Sequence, residues 1–213
     1  MFNHFLFDID GTLIDTEKTG VLSLIDTVRQ LTGEEMPYER AYGYFGIPSA
    51  KVGELLNYPD NIHFGEVWEQ NFIRLSYMIQ PFDGIREVLS AVKASGRRIA
   101  CVTSRNRFEF GKDEHLGRML HFFDHTVCAE DSEKHKPFPD PIFAYFRMSE
   151  DTTGIAVNPE ECIYIGDTMH DCQCSHAAGV TFALADWNGR GMQGIPAEYH
   201  LSSPEEILNL LNL

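Results

Sequence analysis

The sequence predicts an α/β protein: a parallel β-sheet with helices on both faces, interrupted after its first strand by a wholly helical second domain. Three observations carry this. After residue 81, strand-like and helix-like runs alternate, which joins parallel strands through crossover helices. The strand-like runs "FLF", "IACV" and "IYI" are apolar throughout, as strands covered on both faces must be. Between residues 16 and 80 no strand-like run occurs.

Taken in order, His4–Asp8 reads as a short buried strand. In Glu17–Leu31, Val21, Leu22, Leu24, Ile25 and Val28 recur at helical spacing, and Gly33–Pro37 breaks the pattern. Short helical stretches follow, punctuated by Gly43, Gly46-Ile47-Pro48 and Tyr58-Pro59; the clearest is Phe64–Ile79. Asp83–Ser95 predicts a helix on the spacing of Ile85, Val88, Leu89 and Val92, with Gly96 as its stop. Arg98–Val102 predicts a strand, Phe108–Leu120 a helix, His125–Ala129 a short strand and Pro141–Met148 a helix with proline near its start. Glu161–Ile165 predicts a strand, Met169–Ala178 a helix and Val180–Ala185 a strand. Ser203-Pro204-Glu205-Glu206 fits a capped helix start, with Ile207–Leu211 as the last helix. The expected division is residues 1–15 and 81–213 as a Rossmann-like three-layer core, with 16–80 inserted over one end of its sheet.

Composition narrows the function. The 213 residues are 43% hydrophobic, ample for a core, and the formal net charge is −15. Nucleic acid and anionic membranes both want a basic face, so neither is expected as a partner. Cys101, Cys128, Cys162, Cys172 and Cys174 are odd in number, and several sit in apolar runs. They read as buried free thiols of a cytoplasmic protein. Cys172-x-Cys174 lacks a second pair of zinc-like spacing. No signal peptide is visible, and no apolar stretch reaches the roughly 18 residues of a membrane span.

In an open α/β sheet, ligands bind beyond the carboxyl ends of the strands. There the first strand ends in Asp8-Ile9-Asp10-Gly11-Thr12, the next in Thr103-Ser104, and the strand at 161–165 in Gly166-Asp167-Thr168-Met169-His170-Asp171. Lys134-His135-Lys136-Pro137-Phe138-Pro139-Asp140 precedes the last of these. Carboxylates gathered on one edge repel one another and raise each other's pKa values. A hard divalent cation relieves the conflict, and magnesium takes oxygen ligands while keeping water and substrate phosphate in its shell. Lysine and hydroxyl groups suit a phosphoryl group, so the residue types point to magnesium-assisted phosphoryl transfer.

Asp8-x-Asp10-Gly-Thr12, Thr103-Ser104, Lys136-Pro-x-Pro139 and Gly166-Asp167-x-x-x-Asp171 together resemble the four motifs of the haloacid dehalogenase superfamily. The resemblance covers essentially the whole chain, with residues 16–80 as a helical cap. It implies Asp8 as the nucleophile that forms an aspartyl phosphate, and Asp10 as general acid and then base. It implies Mg²⁺ held by Asp8, the backbone carbonyl of Asp10 and Asp167, with Asp171 as a further ligand or outer support. It implies phosphoryl contacts from Thr103, Ser104 and Lys136, and from the backbone N–H groups of Ile9 and Gly11. Arg105 resembles the basic residue that phosphatases of the family often carry at this place; it reads equally as a residue that meets a substrate's distal charge and as a solvated helix start. Asp10 and Asp167 argue for phosphate esters, because a carbon–halogen bond needs neither a leaving-group acid nor a metal.

The reading is a phosphatase for a small phosphorylated metabolite, phosphoglycolate phosphatase-like, acting as a monomer or weak dimer. Two alternatives stand beside it. A β-phosphoglucomutase-like phosphomutase requires a Tyr-His pair soon after the first motif, where Asp15-Thr16-Glu17-Lys18-Thr19-Gly20 stands instead. A non-catalytic module binding magnesium and phosphate needs neither cap nor Asp10. Phe45-Gly46-Ile47-Pro48 looks like a cap loop of phosphoglycolate-phosphatase-like members, and equally like a simple helix boundary. Arg40, Lys51 and Arg74 are the cap's candidates for substrate anions. Phe64, Trp68 and Phe72 read as a packing stripe, and His170 as an exposed residue rather than a metal neighbour. Lys134 competes with Lys136, which alone has proline beside it.

Overall fold

The computed structural model describes residues 1–45, 47, 49–187 and 194–212. It divides into two compact units, one of Met1–Ile14 with Pro81–Leu213, the other of Asp15–Gln80.

The first unit is built on a six-stranded parallel sheet in the order β5-β4-β1-β6-β7-β8. The strands are β1 (His4–Phe7), β4 (Arg98–Val102), β5 (His125–Val127), β6 (Cys162–Gly166), β7 (Thr181–Ala185) and β8 (Tyr199–Leu201). A separate two-stranded sheet pairs β2 (Ile14–Asp15) with β3 (Gln80–Pro81). β1 lies at the centre, in register with both neighbours: Phe7 stands opposite Cys101 on one side and Ile165 on the other. The chain builds outward from β1 through β4 to β5, then returns to β6 and builds the other way through β7 and β8. Connections therefore diverge between β1 and β6, which opens a crevice at their carboxyl ends.

Burial on both faces explains the unbroken apolar strands. On one face Leu6, Ala100, Val102, Tyr164 and Phe182 pack with Ile142 and Tyr145 of α8 (Asp140–Thr153) and with Cys172 and Cys174 of α9 (Met169–Ala177). On the other, α5 (Ile85–Ala94) buries Ile85, Val88, Leu89 and Val92 and packs against β4 and the C-terminal helical segment Pro204–Asn212. All five cysteines are buried and unpaired, including Cys172 and Cys174.

The second unit is helical: α1 (Glu17–Thr32), α2 (Tyr38–Tyr42), α3 (Ser49–Leu55) and α4 (Asn61–Leu75). Gly33 ends α1 in the left-handed conformation (φ 74°), its N–H bonded to the Arg29 carbonyl. Two residues of the predicted stripe on α4 pack together: Phe64 joins a core of Val21, Leu24, Val28, Met36 and Val52, and Trp68 packs against it, while half-buried Phe72 lies outside this cluster. Two polar side chains here are matched, with the Trp68 indole donating to Ser23 Oγ (2.7 Å) and Asn71 to Thr27 Oγ1 (3.1 Å). In the loop between α2 and α3, Gly46 and Pro48 lie outside the described residues.

Three expectations are corrected. The helix expected at Phe108–Leu120 is two helices, α6 (Arg107–Lys112) and α7 (Glu114–Met119). Asp113 divides them because its side chain accepts from the backbone N–H groups of His115 and Leu116, starting a new helix. The α4 helix ends at Leu75, before the expected Ile79, where Ser76–Met78 tightens into a single turn. Strands β2, β3 and β8 were not expected, since two or three residues are too few to show a period.

Candidate active site

Asp8 follows directly on β1, where its N–H donates to the Ile165 carbonyl of β6 (2.9 Å). Asp167 follows on β6, and Asp171 sits in the first turn of α9. These three buried carboxylates flank the crevice, with one oxygen from each lying within 4.8 Å of the others. Lys136 reaches the same place from the loop before α8. Its ammonium donates to Asp8 Oδ1 (2.5 Å) and Asp171 Oδ1 (2.7 Å), and sits over the Tyr164 ring. Lys134 lies exposed over Phe138 instead.

The electrostatics follow from this crowding. Burial, reinforced by Asp171 and Asp10, pushes the Asp8 carboxyl up against the opposing pull of Lys136. Burial also works to raise Asp171, but the Lys136 charge and hydrogen bonds from Lys136 and Thr168 outweigh it and hold Asp171 low. Burial opposes the charge on Lys136, and the two carboxylates more than restore it, so its pKa stands well above the usual lysine value. Three buried carboxylates against one ammonium leave an excess of negative charge. That oxygen donor set fits Mg²⁺.

Two glycines make this packing possible. A Cβ on Gly11, which has φ +85°, would stand 2.1 Å from Asp167 Oδ2; one on Gly166 would stand 2.6 Å from the Asp171 Cβ. Gly11→Ala is therefore expected to displace the Asp167 carboxylate and to weaken Mg²⁺ binding at least about tenfold, the usual effect of disturbing a ligand's support. Calorimetric Mg²⁺ titration checks this.

The Gly11 N–H donates to the Ile14 carbonyl (2.9 Å), closing the turn after β1. Ile9 is buried beside it, and Thr12 Oγ1 approaches Asp167 Oδ1 at 3.5 Å. Thr103 is buried at the end of β4 and its hydroxyl accepts from the Arg105 N–H (3.1 Å), while Ser104 is exposed.

Asp10 does not join the acid cluster through its side chain. Both its carboxylate oxygens accept from Arg105, Oδ2 from Nε (2.8 Å) and Oδ1 from Nη2 (2.6 Å). Arg105 Nη1 donates in turn to Asp113 Oδ2 (2.8 Å). His170 is exposed. Arg40, Lys51 and Arg74 are exposed on the helical unit; Lys51 pairs with Glu54 and Arg74 with Asp26.

Three residues escaped the sequence reading. Tyr164 lay inside an apolar strand and read as core, yet its hydroxyl lies 3.2 Å from Asp171 Oδ1 and 3.1 Å from the Val102 carbonyl. Thr168 caps α9 and donates to Asp171 Oδ2 (2.5 Å). Asp113 anchors Arg105. A hydroxyl in an otherwise apolar strand, and an Asp standing just before Glu114-His115-Leu116, were the available signals.

Residues 5–185 match the family of haloacid dehalogenase-like hydrolases. The chain belongs to that family. Among its relatives are pyrophosphatase PpaX of Bacillus cereus, 23% identical over 99% of this chain and 96% of that one, and phosphoglycolate phosphatase of Nitrosospira multiformis, 27% identical over 82% and 78%. CbbY from Rhodobacter sphaeroides, in a crystal structure with phosphate, superposes with a TM-score of 0.76 at 21% identity over the full length of both chains, a likeness of fold.

Proposed function

We propose that the protein is a magnesium-dependent phosphatase of small phosphate monoesters, phosphoglycolate phosphatase-like, working through a phosphoryl group carried on Asp8. The observation that carries this reading is the Asp8 carboxylate on the central strand, paired with Lys136 and surrounded by Asp167 and Asp171. A carboxylate held in place beside a buried ammonium is oriented for attack on phosphorus, and the ammonium offsets the charge of the phosphoryl oxygens.

Asp8, Asp167 and the backbone carbonyl of Asp10 would hold Mg²⁺, with Asp171 as a further ligand or support. The ion, when bound, offsets phosphoryl charge and orients the group for in-line displacement. Thr103 offers a hydroxyl to a phosphoryl oxygen. Asp10 supplies the proton to the departing alcohol and then takes one from the attacking water. Five unpaired thiols fit a reducing, cytoplasmic setting. Among the described residues no helix is long and apolar enough to cross a membrane.

The test is leaving-group dependence. Asp10→Asn is expected to slow alkyl phosphates by about 10²- to 10⁴-fold, the usual contribution of general acid catalysis. Nitrophenyl phosphate, whose leaving group departs without a proton, is expected to lose much less in the phosphorylation step, read as the pre-steady-state burst of nitrophenol, although hydrolysis of the phosphoenzyme slows for both esters. Equal losses in that first step would remove Asp10 from the acid role, and a product with its phosphate relocated would point to a mutase.

A further inference from the structure

We propose that Arg105 is a specificity-determining latch, which holds the Asp10 carboxylate and yields it to a substrate carrying a second anionic group beyond its phosphoryl group. The inference rests on the phosphatase reading and names the substrate class of that site.

The geometry is that of an anchored fork. Asp113 is fixed by two backbone N–H groups at the start of α7, and its other oxygen holds Arg105 Nη1. The Arg105 N–H is tied to Thr103 Oγ1. The guanidinium, whose side chain is 14% exposed, thus presents Nε and Nη2 to Asp10, which is 36% exposed. Two parallel bonds to one carboxylate form the strongest arrangement open to arginine, and they engage both oxygens. Asp10 cannot face an ester oxygen while both its oxygens face Arg105. A guanidinium does not give up its proton, so Arg105 cannot serve as the acid in its place.

Asp10 must therefore leave the fork before it acts. Losing Asp10 would leave Nε and Nη2 of a largely buried guanidinium unpaired, with Nη1 alone still held by Asp113, which is costly. A carboxylate or second phosphoryl group on the substrate can take the vacated fork with the same bidentate geometry. The charge balance at the fork is kept, one anion replacing another while Asp113 stays in place, and the freed Asp10 carboxylate takes up a proton from solvent before it acts as the acid. A monoester with a neutral tail offers no such replacement and must open the pair unaided. The latch thus links recognition of the distal anion to release of the acid.

Two measurements test it, each using phosphoglycolate and ethyl phosphate with Mg²⁺ present. In Arg105→Leu, the ratio of kcat/KM for phosphoglycolate over ethyl phosphate is expected to fall about 10- to 100-fold from wild type, the scale of a lost charge-assisted hydrogen bond. In Asp10→Asn, a neutral amide competes more weakly for the fork, so phosphoglycolate is expected to bind several-fold more tightly than to wild type by calorimetry. Ethyl phosphate is expected to show no such gain. Equal losses for both esters in Arg105→Leu would make Arg105 a structural prop and overturn the latch. Unchanged or weaker phosphoglycolate binding to folded Asp10→Asn would overturn it independently. Release of phosphate from neither ester by wild type would overturn the phosphatase reading and the latch together, an outcome distinct from the other two.

Discussion

Asp8→Asn is expected to abolish turnover, with kcat falling on the order of 10⁴- to 10⁶-fold, the range seen when a catalytic nucleophile is removed. The cause lies in the position of the residue. Asp8 stands at the end of the central strand, its backbone fixed by a hydrogen bond to β6 and its side chain by Lys136. An amide of the same shape keeps those supports and loses the nucleophilic oxygen. Folding is expected to survive, because Lys136 retains its bond to Asp171. Mg²⁺ binding is expected to weaken but persist on Asp167 and the remaining donors. Steady-state phosphate release and calorimetric Mg²⁺ titration on the same preparation separate the two effects. Activity within a few-fold of wild type would exclude Asp8 as nucleophile.

Lys136→Met carries the second large effect, and it falls on stability as well as rate. Lys136 is the shared partner of Asp8 and Asp171, and all three side chains are at most 10% exposed. Removing one partner from a buried ion pair leaves an uncompensated charge, at a cost of about 3–5 kcal/mol. Methionine fills the volume of the lysine stem, so the loss reports charge and not a cavity. Because Mg²⁺ offsets the same carboxylates, saturating Mg²⁺ is expected to raise the Tm of Lys136→Met more than that of wild type. Ligand linkage provides about 2.7 kcal/mol at a hundredfold excess over Kd, enough to recover much of the loss. Equal Tm shifts would mean that the lysine and the ion do not share the site. Phosphate turnover is expected to stay low even in Mg²⁺, since the ammonium proposed to offset phosphoryl charge is gone.

The rim of the sheet was legible in the sequence because an apolar strand that ends in a carboxylate is a strong signal. "FLF" before Asp8 and "IYI" before Gly166-Asp167 place two acids at strand ends on one edge of the sheet. The order of the motifs then located Lys136. Pairings set by tertiary structure were not legible. Asp10 and Arg105 are 95 residues apart, and nothing in either motif shows that the arginine forks onto the aspartate. Asp113 falls in the middle of the single helix expected at Phe108–Leu120, whereas its side chain caps a second. Tyr164 was hidden by its own burial: a strand residue exposed to no solvent reads as core whether or not its hydroxyl reaches a site. Gly11 entered the sequence reading for its backbone N–H, whereas the close approach of Asp167 that makes a glycine necessary there depends on β6 lying beside β1.

The central claim is that phosphorus becomes bonded to Asp8. It is tested most directly by acid-quenching the enzyme within its first turnovers of a monoester bearing a radiolabelled phosphoryl group, then mapping the labelled residue by mass spectrometry. The account predicts label on Asp8, absent from the Asp8→Asn protein and accumulating in Asp10→Asn with a nitrophenyl ester. Label on another side chain, or efficient turnover with no labelled protein at any quench time, would contradict it.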